Sequence, residues 1–159
     1  MMPEKAKVRM SDPDLTSSSH AEDPELSEGE GPPTEPPMIR TIAMPADTNP
    51  AGDIFGGWLM SLMDMAAGNV ATRYARGRCV TVAVDSIAFL APVVVGDEVS
   101  LYAKLLSTGR SSMRIAVEAW RRPRVAEDYR KVTRAVFVFV AIDENRRARP
   151  LPTSTLELE

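Results

Sequence analysis

The sequence has 159 residues, enough for one compact domain, and its 44% hydrophobic content is ordinary for a globular protein. A formal net charge of −3 and a pI near 5.3 argue against the overall basic field that nucleic-acid or anionic-membrane binding usually needs. No apolar run approaches the roughly 18 residues of a membrane span, and the first residues lack the basic-then-apolar layout of a secretory signal. We therefore expect a cytoplasmic protein.

Two residue types that occur only once limit the possible chemistry. Cys79 is the only cysteine, which excludes a disulfide within the chain and a cysteine-based metal site. His20 is the only histidine, and it lies in a polar segment near the start. The rest of the chain therefore cannot form a serine or cysteine nucleophile that is activated by histidine, and it cannot form a histidine metal site. Catalysis has to use carboxylates, hydroxyls, amides and backbone dipoles.

Residues 1–38 differ in composition from the rest of the chain. They hold nine acids, three bases and seven of the thirteen prolines, which leaves thirteen acids and sixteen bases in residues 39–159. This composition, without apolar periodicity, predicts a disordered extension. An acidic extension can bind a partner, but composition favours a solvated one. A domain over residues 39–152 and a short tail over 153–159 complete the predicted organisation.

From Met38 onward the pattern predicts folded elements. The run MIRTIAM indicates a strand, and the turn-forming residues PADTNPAGD indicate a structured loop. Residues 58–76 are rich in helix formers and end before Gly77, a candidate C-cap. Because apolar residues occupy nearly every face of this helix, we predict that it is buried on all sides.

Four runs rich in Val, Ile and Phe follow the helix and predict strands. They are Cys79–Leu90, Val99–Ser107, Ser112–Arg122 and Lys131–Ile142. A strand, a long helix and an antiparallel meander give an α+β fold, in which a sheet curled around the helix would cover it.

Asp64 is the first candidate catalytic residue. It lies between Met63 and Met65 in the predicted helix, with little polar company. A carboxylate buried without a partner is energetically unfavourable and is often functional. The alternative is a structural aspartate that pairs with an arginine or accepts hydrogen bonds, and pattern alone does not separate the two.

The start of the helix holds three further candidates. Gly56 and Gly57 lie where the loop becomes helix, and a helix N-terminus presents N–H groups that can polarise a carbonyl and stabilise an oxyanion. Turn formation alone also explains two glycines. Asp53 either caps the helix and orders the loop or orients water or substrate.

The sequence TGRSSMR predicts a turn in which Arg110 and two serines suit a phosphate, although an exposed arginine in a turn commonly has no special role.

Three stretches of the chain resemble one family: TIAMPADTNPAGDIFGGWLMSLMDMAAG, VTVAVDSIAFLAPVVVGDEVSLYAKLLSTGRSSMRIAVEAW and AVFVFVAIDENRRARPLP. Together they resemble the YciA-type branch of hotdog-fold acyl-CoA thioesterases over nearly all of residues 39–152. The run TN-x-x-GDIFGGW followed by MDM is the most specific part.

The resemblance implies a hotdog fold, in which a five-stranded antiparallel sheet wraps a long helix. It also implies pairing of two units into a continuous sheet, with active sites at the interface and commonly three dimers in a hexamer. Asp64 would be the catalytic acid, Asp53 a second functional position, and Gly56 and Gly57 the polarising backbone. Substrate contacts would come from Asn49 and from the turn formed by Gly109, Arg110, Ser111 and Ser112.

The predicted reaction is hydrolysis of fatty acyl-CoA to a free acid and CoA, without a cofactor. A hotdog dehydratase is disfavoured because hotdog dehydratases use a catalytic histidine, and residues 39–152 contain none. A catalytically silent acyl-CoA sensor or scaffold on the same fold is the stronger alternative. The acyl chain length is not predicted.

Overall fold

The computed structural model describes residues 31–153. The predictions of a disordered extension and of a C-terminal tail therefore fall mostly outside the described residues. In chain order the elements are β1 (Ile39–Ile42), a 3₁₀ turn (Pro45–Asp47), α1 (Gly56–Ala75), β2 (Cys79–Phe89), β3 (Glu98–Thr108), β4 (Ser112–Arg122) and β5 (Arg130–Ala141).

The five strands form one antiparallel sheet in the order β1-β3-β4-β5-β2. The predicted α+β class and five-stranded sheet are confirmed, and the four strands predicted after the helix agree with the structure to within one residue at each end. The agreement follows from strand-forming runs that are each bounded by turn residues.

Helix α1 packs on the inner face of the sheet and forms the core with it. On β4 the inward positions Met113, Ile115 and Val117 are fully buried. The buried face of the helix is mostly alanine, and these small side chains let its backbone approach the sheet closely. The buried residues are Leu59, Met63, Ala66, Ala67, Ala71 and Ala75.

The prediction that α1 is buried on all sides is wrong for this chain. Met65 is 55% exposed, and Met60 and Tyr74 are also exposed. The sheet covers one side of the helix, and an apolar pattern does not reveal what covers the other. Asp64 is accordingly half-buried rather than buried.

The helix also ends differently from the prediction. Arg76, with φ of 52°, is the left-handed C-cap residue, and Gly77 follows it. A Cβ on Gly77 would lie 2.7 Å from Nη2 of Arg149, so a larger residue here would require the Arg149 guanidinium to shift. That guanidinium donates to the carbonyls of Ala75, at 2.9 Å, and Ile142, at 3.1 Å, and so caps the end of α1.

Strand β2 is the long free edge of the sheet. Residues 80–86 are all exposed, among them the apolar side chains of Val80, Val82 and Val84. The register of the pairing with β5 shifts by one residue between Thr81 and Ala83 and again between Val84 and Ser86. Val82 and Asp85 are therefore each the extra residue of a β-bulge. A long edge strand with exposed valines is a surface on which another strand can pair.

Candidate active site

The loop before α1 is ordered by Asn49. Its Oδ1 accepts hydrogen bonds from the N–H groups of Ala51, at 2.9 Å, and Asp53, at 3.1 Å. Its own N–H donates to the Asp53 carbonyl at 2.7 Å. Asn49 therefore fixes the loop that leads to the helix, and the sequence did not predict this role. The side-chain amide N–H groups of Asn49 make no hydrogen bond within residues 31–153.

Helix α1 begins without a side-chain cap. The N-cap residue is Phe55, whose side chain accepts no capping hydrogen bond, so the interpretation of Asp53 as the cap is wrong. The Asp53 side chain is exposed. Gly56 and Gly57 form the first turn, where backbone N–H groups have no partner in the helix. An uncapped N-terminus with exposed apolar neighbours is suited to hold a carbonyl oxygen.

The Phe89 ring, at the end of β2, packs on Gly56. A Cβ on Gly56 would lie 3.3 Å from the ring, which is closer than nearly all real contacts of this kind. Gly56 is therefore the residue that lets the ring reach the helix. The remainder of the Phe89 side chain is exposed, as is that of Phe55, so this end of the helix has an apolar surround.

Asp64 lies in the third turn of α1 and faces β2. Its Oδ1 accepts a hydrogen bond of 2.5 Å from the Thr81 hydroxyl. Within the described residues this is the only hydrogen bond of the carboxylate, so Oδ2 has no partner there. The arrangement holds the carboxylate in one orientation and leaves one oxygen to act on a bound molecule.

The buried acids of this chain are structural. Asp97 and Glu118 are the buried carboxylates among the described residues. Asp97 pairs with Arg121 at 3.3 Å, and Glu118 pairs with Lys131 at 3.2 Å. Because each has a cation, their burial requires no catalytic explanation. Asp64 differs from both, since its partner is a neutral hydroxyl.

The predicted phosphate-binding turn joins β3 to β4. The Gly109 N–H donates to the Ser112 carbonyl at 2.8 Å, and the Arg110 carbonyl accepts from the Leu151 N–H at 2.8 Å. The Ser111 carbonyl accepts from the Ala141 N–H at 2.9 Å. The backbone of the turn is thus fixed from three sides, while the Arg110 side chain is exposed.

The structure brings some predicted site residues together and separates others. Thr81 pairs with Phe139, which pairs with Met113, the residue next to the 109–112 turn. Asp64 and this turn therefore share one end of the sheet. Gly56 lies eight residues before Asp64 on the same helix, about 12 Å away at 1.5 Å per residue. One chain alone does not bring the carboxylate to the helix N-terminus.

Sequence reasoning did not include Thr81 or Phe89 among the site residues. A threonine and a phenylalanine in a strand are ordinary, and only the packing of α1 on β2 shows what they contact. Among residues 31–153, no cluster of three or more His, Cys, Asp or Glu side chains is arranged to hold a metal ion. Within the same range no helix has the length and apolarity required to cross a bilayer.

This fold and site define a class: a hotdog-fold thioesterase, with a carboxylate on the central helix. The thioesterase superfamily profile matches residues 51–127. An uncharacterized acyl-CoA thioester hydrolase of Zymomonas mobilis is 58% identical over 120 residues, covering 76% of this chain and 80% of that protein. The acyl-CoA thioester hydrolase YciA of Escherichia coli is 47% identical over 118 residues, covering 72% and 89%.

Among solved structures, the hexameric thioesterase of Yersinia pestis is 48% identical with a TM-score of 0.72, over 77% of this chain and 99% of that chain. The chain belongs to the YciA-type acyl-CoA thioester hydrolases. It is an acyl-CoA thioester hydrolase of the hotdog fold, as the sequence predicted.

Proposed function

We propose that Asp64 drives hydrolysis of the acyl-CoA thioester. The observation that carries this proposal is the half-buried carboxylate held by Thr81 on one oxygen, with the other oxygen unpartnered among the described residues. As a general base, Asp64 takes a proton from water, the hydroxide adds to the carbonyl carbon, and the C–S bond breaks to release the CoA thiol. As a nucleophile it attacks the carbonyl carbon and breaks the C–S bond, so that the CoA thiolate leaves and takes a proton from solvent, and water then hydrolyses the mixed anhydride. The products are the free acid and CoA in both cases.

The N–H groups at Gly56 and Gly57 would polarise the thioester carbonyl and stabilise the oxyanion that it becomes. They lie too far along α1 from Asp64 to act on the same carbonyl within one chain. A complete site therefore requires a second copy of the chain.

Strand β2 supplies the geometry for such a pairing. Thr81, which contacts Asp64, lies near its start, and Phe89, which contacts Gly56, lies at its end. Antiparallel pairing of two β2 strands about a two-fold axis near their middle would set the Thr81 end of one copy beside the Phe89 end of the other. Asp64 of each copy would then face the helix N-terminus of its partner.

Such a dimer would also cover the valines that β2 exposes at positions 80, 82 and 84. The Yersinia pestis relative is hexameric. We therefore propose a hexamer built from three of these dimers, each with two active sites.

The turn at 109–112 is the proposed site for the CoA nucleotide. It lies at the Asp64 end of the sheet, its backbone is fixed, and Arg110 is exposed with its charge available to a phosphate. Ser111 and Ser112 add hydroxyls. The pantetheine arm would run from this turn to Asp64.

Asn49 and Asp53 would act from the other copy, beside the Gly56 end. We propose that the free amide of Asn49 contacts the substrate and that Asp53 orients water. The reaction requires no metal or organic cofactor, because a thioester is already activated and water is the acceptor. A cytoplasmic location is supported by the single cysteine.

The test is CoA thiol release from a panel of short-, medium- and long-chain acyl-CoAs by wild type and by Asp64→Asn, at matched oligomeric state. We expect the substitution to lower kcat at least about a hundredfold. Near-normal turnover of Asp64→Asn would contradict the assignment of Asp64. A wild-type protein that binds acyl-CoA and releases no thiol would be a sensor instead of an enzyme.

A further inference from the structure

One end of the molecule carries a cluster of arginines, which we call the arginine pole. Its members are Arg73, Arg76, Arg78, Arg110, Arg146, Arg147 and Arg149. Hydrogen bonds hold their segments together: the Arg78 carbonyl accepts from the Ile142 N–H at 3.0 Å, and the Arg110 carbonyl from the Leu151 N–H at 2.8 Å. Within these described segments only Asp143 and Glu144 are acidic.

Six of the seven arginine side chains are exposed, all except Arg149. None of the six side chains forms a hydrogen bond or ion pair with another residue of the 31–153 range. Their charges therefore face solvent without a carboxylate partner among the described residues, which is an arrangement that attracts an acidic ligand.

Local structure explains only part of this cluster. The negative end of the α1 dipole favours cations at Arg73 and Arg76, but the other exposed arginines lie on different elements. Arg76 and Arg146 have φ values of 52° and 62°, in the left-handed region where glycine or asparagine is less strained. Backbone geometry therefore does not account for arginine at these two positions.

The described start of the chain runs toward this pole. The Met38 N–H donates to the Leu101 carbonyl at 2.8 Å, and Glu35 and Pro36 lie in a shallow cleft with Tyr102 and Lys104. From there β3 continues to Thr108 and into the turn that carries Arg110. Traced backward from β1, the chain follows β3 in the direction of the arginine pole.

The segment before residue 31 is complementary in charge. Residues 11–30 hold seven acids and no lysine or arginine. A stretch of this length spans at most about 70 Å when extended, whereas five strands are only about 19 Å across. We propose that residues 11–30 bind the arginine pole of their own chain.

A consequence rests on the proposed function. Because Arg110 belongs both to the pole and to the proposed nucleotide site, the acidic segment competes with the CoA nucleotide for the same cations. The segment then raises the KM for acyl-CoA without changing kcat, and its effect falls as salt screens the charges.

The first test uses full-length protein and does not depend on activity. Glutamyl endopeptidase cleaves after Glu22, Glu25, Glu28 and Glu30, and the cleavage rate follows the population in which the segment is detached. The pair Arg76→Asn and Arg146→Asn removes two pole charges with a residue that tolerates the left-handed backbone. The pair Arg124→Gln and Arg130→Gln, at the opposite end of the sheet, is the matched control.

At low salt we expect cleavage of wild type and control to be at least about threefold slower than cleavage of the pole variant. At an ionic strength of about 0.5 M the three rates should converge, because the Debye length falls to roughly 4 Å. Equal rates for all three proteins at low salt would overturn the docking proposal.

The second test neutralises all seven acids of residues 11–30 to Asn or Gln and compares two substrates. The KM for acyl-CoA should fall several-fold at low salt, while the KM for an acyl-pantetheine thioester, which lacks the nucleotide, should not change. An equal fall for both substrates, or for neither, would overturn the competition. An inactive wild type would instead contradict the proposed function, and the cleavage comparison would still decide the docking.

Discussion

The Thr81 hydroxyl donates a 2.5 Å hydrogen bond to Oδ1 of Asp64, and this contact ties the edge strand β2 to the central helix. The same strand ends at Phe89, whose ring packs on Gly56 at the helix start. Both ends of β2 therefore contact a part of the proposed catalytic apparatus. Displacing this strand should affect catalysis more than its exposed position suggests.

Thr81 should act as a positioning residue for Asp64. Thr81→Val keeps the shape and removes the donor, so we expect kcat to fall about tenfold to a hundredfold because the carboxylate loses its orientation. Thr81→Ser keeps a hydroxyl and should restore most of the rate. Steady-state kinetics on one acyl-CoA, with melting temperatures of both variants, would check this. A variant Thr81→Val that only melts earlier, with kcat unchanged, would assign Thr81 a purely structural role.

Pairing through β2 should be required for activity. Val82 is 55% exposed and lies in the first bulge, so Val82→Arg leaves the single chain intact but places a charge in the proposed dimer interface. We expect dissociation and loss of turnover to occur together, measured by sedimentation velocity and thiol release. Val125→Arg, at a side chain that is 97% exposed in the β4–β5 loop, is the control and should change neither. An active monomeric Val82→Arg would rule out a shared site.

Arg149 should stabilise the end of α1. Arg149→Met keeps the side-chain length and removes the bonds to the Ala75 and Ile142 carbonyls, which should lower the free energy of unfolding by about 2 kcal/mol. Arg147→Met, at an exposed neighbour, should be close to neutral. Denaturant unfolding at fixed protein concentration measures both. Gly77→Ala should cost no more than the two hydrogen bonds that a shifted Arg149 guanidinium gives up, and it should be close to neutral beside Arg149→Met.

Cys79 should react slowly with alkylating reagents. Burial raises the pKa of its thiol above the ordinary value, and the nearby Arg149 charge offsets only part of the rise. Because the thiolate is the reactive form, a higher pKa means less thiolate at a given pH, so the alkylation profile shifts to higher pH. Mass spectrometry of iodoacetamide-treated protein between about pH 7 and 10 would show it. Identical profiles for folded and urea-unfolded protein would contradict it.

The strand assignments were predictable because each run of β-branched and aromatic residues is bounded by turn formers. The predicted meander holds for β3, β4 and β5 only, because β2 pairs with β5 and not with β3 despite the short connection between them. Asp64 was recognisable as a carboxylate among apolar helix residues. Its contact with Thr81 was not, since it depends on how α1 lies across β2. The two bulges add a residue each, so that Thr81, Val84 and Ile87 share the helix side at a spacing of three rather than two.

The helix exposure was mispredicted for a related reason. Periodicity reports which side chains are apolar, and it does not distinguish coverage by the same chain from coverage by another copy. Met65 is 55% exposed in the single chain, so the chain's own sheet does not cover it. The C-cap was misplaced because glycine usually takes the left-handed position, whereas here Arg76 takes it and Gly77 makes room for Arg149.

The separation of Asp64 from Gly56 along α1 has a genetic consequence. If each site takes its carboxylate from one chain and its helix N-terminus from the other, two inactive alleles with lesions in different halves can rescue one another. In a mixed dimer one site has both lesions and the other has none. Because random mixing makes about half of the dimers mixed, about a quarter of all sites are intact. Two lesions in the same half show no such interallelic complementation, and an Asp64 allele expressed beside wild type is only partly dominant.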